Sequence, residues 1–122
     1  MALDPALAEL ARSKNFAALS TLMPDGQPQT QLMWLDADDD HLLINTDVGR
    51  QKFRNVERDP RVTVTVFDRD DPYRYVEARG RVVSTDSGPS ARAHIDQLAQ
   101  KYTGADYSKP IEGGRVVLRI AV

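Results

Sequence analysis

The residues best suited to chemistry lie between Asn45 and Val56. There Asn45-Thr46-Asp47-Val48-Gly49-Arg50-Gln51-Lys52-Phe53-Arg54-Asn55-Val56 reads as a strand that runs into a turn and then a helix. A helix amino terminus presents unpaired amide donors and the positive end of the helix dipole, so it attracts anions. Arginine adds a two-pronged fork and lysine a point charge. Arg50 and Lys52, two positions apart, do not share a helix face, so they can hold one phosphate from different sides. Taken alone, the spacing favours the other reading, in which Arg50, Arg54, Glu57, Arg58 and Arg61 form a solvated face of near-neighbour ion pairs.

Other chemistries find little support. Among 122 residues there is no cysteine, which removes disulfides, thiolate nucleophiles and thiolate metal sites. The two histidines, His41 and His94, have no serine or acid beside them in a nucleophile motif and read as ordinary surface histidines. Asp36, Asp38 and Asp40 imitate the start of a calcium loop. His41 then stands where that loop needs glycine and Asp47 where it needs glutamate, so the run reads as a solvated turn and no metal is expected. Neither a Rossmann nor a P-loop glycine pattern occurs. A net charge of −2 speaks against a general nucleic-acid binder. The strands also lack the aromatic platform that stacks single-stranded bases. Trp34, Tyr73 and Tyr75 read as core or interface residues.

These groups need a frame, and the chain length suits one domain spanning residues 1–122. Asp4-Pro5 caps a short helix through Leu7, Leu10 and Ala11. Strands are expected over 15–22 and 28–36, joined at Pro24-Asp25-Gly26, then over 41–46 after the acidic turn. Gln29, Gln31 and Met33 share one face of the second strand. A helix over 49–59 stops at Pro60. The alternation of Val62, Val64 and Val66 with Thr63 and Thr65 marks the plainest strand. A long strand over 73–85 contains Gly80, read as a bulge or bend, and a helix from Pro89 to Tyr102 buries Ala91, Ile95, Leu98 and Tyr102. A last strand runs over 115–122. Six strands joined mainly by hairpins describe a mainly β fold, an antiparallel barrel with short helices, rather than a doubly wound sheet.

The run from Thr46 to Val62, above all Gly49-Arg50-Gln51-Lys52-Phe53-Arg54-Asn55, resembles the signature of the pyridoxamine 5′-phosphate oxidase-like split β-barrel superfamily, in particular its F420-dependent branch. Phe16-Ala17-Ala18-Leu19-Ser20-Thr21 with Asp25-Gly26-Gln27-Pro28-Gln29, and Tyr75-Val76-Glu77-Ala78-Arg79-Gly80-Arg81-Val82, resemble its other landmarks. The resemblance implies a six-stranded, FMN-binding-like split barrel that forms a homodimer with cofactor at the subunit interface. It implies that Arg50 and Lys52 bind the phosphate-bearing arm of the cofactor and that Gln29, Gln31, Met33, Asn45 and Thr46 lie along it. Tyr75 is expected to reach the site from the other chain. The second strand offers glutamines where pyridoxamine phosphate oxidases carry arginine, so oxidation of that substrate is not expected.

The implied cofactor is coenzyme F420, a deazaflavin, with FMN as the alternative. The implied activity is hydride transfer from reduced deazaflavin to an electron-poor small molecule, without an assigned catalytic residue. Arg54 and Arg61 are candidates to extend positive charge beyond the phosphate. An FMN-dependent oxidoreductase and a non-catalytic split barrel that carries flavin or haem stay open as alternatives. No nucleic-acid or membrane partner is expected, and the cytoplasm is the expected location.

Overall fold

The computed structural model describes residues 2–122. In chain order it contains α1 (Pro5–Arg12), β1 (Phe16–Leu22), β2 (Pro28–Met33), β3 (Asp36–Ala37), β4 (Leu42–Asp47), α2 (Gln51–Arg58), β5 (Arg61–Phe67), β6 (Tyr75–Ser87), α3 (Pro89–Thr103) and β7 (Arg115–Ala121). The strands form one antiparallel sheet in the order β2-β1-β5-β6-β7-β4-β3. The mainly β split barrel read from the sequence is the fold observed, with one strand more than the six expected. The extra strand, β3, is two residues long and pairs Asp36 and Ala37 with Leu43 and Leu42. It lies where the acidic turn was expected to begin. The turn itself starts at Asp38, whose Oδ1 accepts from the amides of Asp40 at 2.9 Å and His41 at 2.6 Å.

The sheet curls because β1, β4, β5 and β7 each have one apolar face to bury. Ala17, Leu19, Val62, Val64, Val66, Leu42, Ile44, Leu118 and Ile120 all point into the curl. The helix α1 closes one side with Leu7, Leu10 and Ala11, and Asp4 caps it by accepting from the amides of Ala6 and Leu7, both at 3.1 Å. A second, smaller core lies outside the curl. There α3 packs Ile95, Leu98 and Tyr102 against Phe16, Trp34 and Tyr107. This helix rests on β7, β6 and β4.

Gly80 is not where β6 bulges. The register shift falls between Val82 and Ser84. Gly80 instead lies under the end of β7, where a Cβ would stand 2.0 Å from the Ala121 carbonyl oxygen. The close approach of backbone, rather than a bend, is what requires glycine here.

Tyr102 joins the two cores. Its hydroxyl donates to the Asn15 carbonyl and accepts from the Leu35 amide at 3.2 Å. Its ring stacks on Trp34 at 5.0 Å, with the planes 4° apart. Burial pushes the phenol up to about 12, so it stays a donor across the physiological range. Tyr102→Phe keeps the stack but leaves two backbone groups without a partner. A loss of about 1–3 kcal/mol is expected, read as a lower urea midpoint at an unchanged slope.

Candidate functional site

The site begins where β4 ends. Asp47, its last residue, turns its carboxylate onto two backbone segments, accepting from the Gly49 amide at 2.8 Å and the Gly113 amide at 3.2 Å. Val48 adds a bond from its amide to the Gly114 carbonyl at 3.0 Å. The loop between α3 and β7 is thereby tied to the turn before α2. Gly113 makes this possible, since a Cβ there would stand 2.6 Å from Asp47 Oδ1. The Gly49 amide, helped by the Gly113 amide and the charges of Arg115 and Arg50, holds the Asp47 carboxyl below the usual carboxylate range.

Two hollows lie along this junction. One, of about 360 Å³, is walled by Met33, Trp34, Asn45, Ile95, Leu98 and Ala99, and is largely apolar. The other, of about 460 Å³, is walled by Asp47, Gly49, Arg50, Pro110 and Glu112. Tyr107, Lys109 and Arg115 line both, so the two form one trough with an apolar end and a charged end.

At the charged end, Arg50, Lys109 and Arg115 outnumber Asp47 and Glu112. Lys52 is half-buried near them. Burial first, then the charges of Arg50 and Arg115, lower its pKa. A bound anion would relieve that strain on its positive charge. Arg50 is also the residue that precedes the first turn of α2, and no side chain caps that end. The first-turn amides therefore add donors beside the cations.

Arg115 is held on two sides. Its Nε donates to Asn45 Oδ1 at 2.8 Å, and its guanidinium carbon lies 5.2 Å from the centre of the Tyr107 ring. Asn45 in turn donates through Nδ2 to the Ala91 carbonyl and to His94 Nδ1, both at 3.0 Å. His94, expected as a surface residue, lies against β4 instead, and its Nε2 is buried with no hydrogen-bond partner among the described residues.

Of the residues singled out in the sequence, Met33, Asn45 and Arg50 line the trough, and Lys52 lies within electrostatic reach of Arg50 and Arg115. Thr46 is buried on the opposite face of β4 from Asn45. Gln29 meets the buried Asn55, whose Nδ2 donates to it at 3.4 Å. Gln31 is exposed on β2, and Tyr75 lines a separate shallow hollow with Thr65, Phe67 and Pro72. Arg54 is engaged by the Gly49 carbonyl and Gln51, while Arg61 forms a forked pair with Asp59. Neither lines the trough. The cations that extend its charged end are Lys109 and Arg115, and Trp34 belongs to its wall. These residues come from chain segments far from Arg50, so no local motif announces them. The one available signal is an arginine heading the apolar run Val116-Val117-Leu118.

Comparison with known proteins agrees with this architecture. A solved structure named F420 Reductase is 30% identical, with a TM-score of 0.84 over 98% of this chain and 94% of that one. A conserved hypothetical protein from Mycobacterium tuberculosis is 28% identical, with a TM-score of 0.76 over 98% and 81%. A putative pyridoxamine 5′-phosphate oxidase from Listeria innocua, 21% identical with a TM-score of 0.68 over 94% and 88%, shares the fold. The family model for pyridoxamine 5′-phosphate oxidase matches residues 3–122. The chain belongs to the pyridoxamine 5′-phosphate oxidase family, in its split-barrel form.

Proposed function

We propose that this protein is an oxidoreductase that uses the deazaflavin coenzyme F420 to reduce an electron-poor small molecule. The observation that carries the reading is the trough itself, apolar at Met33 and Trp34 and cationic at Arg50, Lys109 and Arg115, with Lys52 within electrostatic reach. That polarity suits a ligand with a flat ring at one end and a phosphate with carboxylates at the other. The 30% identity to a protein named F420 Reductase supports it.

Arg50, Lys52 and Arg115 would hold the phosphate-bearing arm, Lys109 the carboxylates beyond it, and Met33, Trp34 and Ile95 the ring. When bound, a deazaflavin supplies hydride in a two-electron step. The chain contributes position and exclusion of water, and no side chain is assigned to move the proton, which solvent supplies.

The proposal includes a homodimer. Leu32 and Tyr75 are 68% and 58% exposed. They lie on the outer face of the β2-β1-β5-β6 part of the sheet, a surface suited to a second copy. A partner on this face would let Tyr75 approach the other copy's ligand, whereas Gln29 and Gln31 lie on the opposite face of β2. Ultracentrifugation is expected to show a dimer at micromolar concentration, with an interface above about 2,000 Å². A monomer at that concentration would remove the shared site.

Fluorescence titrations separate the cofactors. F420 is expected to bind more tightly than FMN, because its tail carboxylates meet Lys109. That preference shrinks as salt rises, since exposed charges are screened over about 10 Å at 0.1 M. Tighter FMN binding at both salts, with turnover from a nicotinamide donor, would replace the deazaflavin by FMN. If neither binds at micromolar concentration, the oxidoreductase assignment falls.

A further inference from the structure

The chain of contacts that runs from His94 through Asn45 to Arg115 has only one consistent assignment of donors and acceptors. The Ala91 carbonyl, 3.0 Å away, requires the Asn45 nitrogen on its side, and Arg115 Nε, 2.8 Å away, requires the Asn45 oxygen on the other. The second hydrogen of that nitrogen then points at His94 Nδ1, 3.0 Å away, which must accept it. His94 is thus neutral, with its proton on the buried Nε2.

A second proton on His94 would break this pattern. Nδ1–H would face the Asn45 amide nitrogen, donor against donor. Turning the amide over would repair that contact, yet it would set oxygen against the Ala91 carbonyl and nitrogen against Arg115 Nε. Only the turned amide relieves the clash with His94, and it leaves Arg115 without a fixed partner on its Asn45 side.

We propose that Arg115 is an anion-gripping residue at the junction of the two hollows, and that neutral His94, acting through Asn45, is the positioning residue that aims it. Burial is the largest influence on His94 and disfavours its protonation; Asp36 from β3 favours the charge, and Arg119 from β7 and Lys101 from its own helix disfavour it. Arg119 is itself paired with Asp86 from β6. The His94 pKa accordingly lies below the ordinary histidine value of about 6.5. The grip is therefore complete at neutral pH and is lost as pH falls through that lowered value.

The ligand in this proposal is the one given above, so two readouts are needed, one of which uses no ligand. The first is F420 affinity by fluorescence in the wild type, Arg115→Ala and His94→Asn. In the last variant the side-chain oxygen replaces Nδ1 as an acceptor that does not titrate. Wild-type affinity is expected to fall about tenfold as pH drops from 7.5 through the lowered His94 pKa, as one charged hydrogen bond is lost. The affinity of His94→Asn, whatever its value at pH 7.5, is expected to change less than twofold over that range. Arg115→Ala is expected to bind at least about tenfold more weakly at pH 7.5 and to lose the pH dependence.

The second readout is nitrogen-15 NMR of the free protein. It is expected to show His94 protonated on Nε2 alone at pH 7.5, and a slowly exchanging Arg115 Nε–H. That proton becomes exchangeable on acidification in the wild type but not in His94→Asn, and is exchangeable at all pH values in Asn45→Ala. Parallel loss of F420 affinity with pH in the wild type and His94→Asn overturns the positioning role and leaves the deazaflavin reading intact. Failure of wild-type protein to bind F420 at any pH defeats that reading and the gripping role. The NMR then still decides whether His94 aims Arg115, and a His94 protonated on Nδ1 at pH 7.5 overturns it.

Discussion

Arg50→Ala combined with Lys52→Met is expected to weaken F420 binding by about two to three orders of magnitude. A hydrogen bond from a charged donor is worth about 1.5–3 kcal/mol, and each 1.4 kcal/mol is tenfold in affinity. The two effects will not add fully, because the side chains address one anion. Stability should respond differently. Lys52 is half-buried and repelled by Arg50 and Arg115, and methionine keeps an unbranched stem in place without the charge. Lys52→Met alone is therefore expected to leave the unfolding midpoint unchanged or higher while it weakens binding. Arg61→Ala is the control, since Arg61 is occupied by Asp59 away from the trough. Less than a twofold change is expected there. Arg58 would serve poorly, because it holds the Leu22 carbonyl. Equal losses in the double variant and the control, measured by fluorescence titration, would mean that only diffuse charge acts.

Gly80→Ala is the substitution with the largest expected cost to the fold. The added Cβ would stand 2.0 Å from the Ala121 oxygen and 2.9 Å from both the Ala121 carbonyl carbon and Val122 Cγ1. Backbone atoms cannot move aside as the end of a flexible side chain can. β6 or the end of β7 must shift, although Val82 and Ile120 on either side belong to the core or pack on it. Overpacking typically costs 1–3 kcal/mol, and with backbone as the obstacle about 3 kcal/mol or more is expected. Denaturant titration would register this as a large fall in midpoint. A change below about 0.5 kcal/mol would show that the end of β7 does not lie over Gly80.

Local pattern made most of the fold legible. Alternating Val62, Val64 and Val66 bury just as period two requires, and the stripe of Ala91, Ile95, Leu98 and Tyr102 is the buried face of α3. β3 was not legible, because two residues beside an acidic turn carry no periodicity, and only pairing with Leu42 and Leu43 makes them a strand. The site divides in the same way. Arg50 and Lys52 stand in a motif of contiguous residues, whereas Arg115, Tyr107 and Trp34 reach the trough only through long-range packing. His94 looked like a surface residue for the same reason. One helical position says nothing about the asparagine that faces it from β4. Gly80 was legible as special, but its cause, the close approach of the Ala121 backbone from the end of β7, was not.

The Asp47 clasp also bears on the thermodynamics of recognition. The two bonds that fasten the loop over 104–114, from the Gly113 amide to Asp47 and from the Val48 amide to the Gly114 carbonyl, are made within the chain. Fixing one residue's backbone costs about 1–2 kcal/mol in entropy, so a freely moving loop of this length would subtract heavily from affinity when a ligand ordered it. Here folding itself fastens the loop, with Tyr107 held further by its amide bond to Asp96 at 3.0 Å, and association is left to reflect the quality of the contacts. Cutting the clasp with Asp47→Ala would transfer the ordering step to binding, and the loss would appear in calorimetry as an unfavourable entropy, with little change in enthalpy.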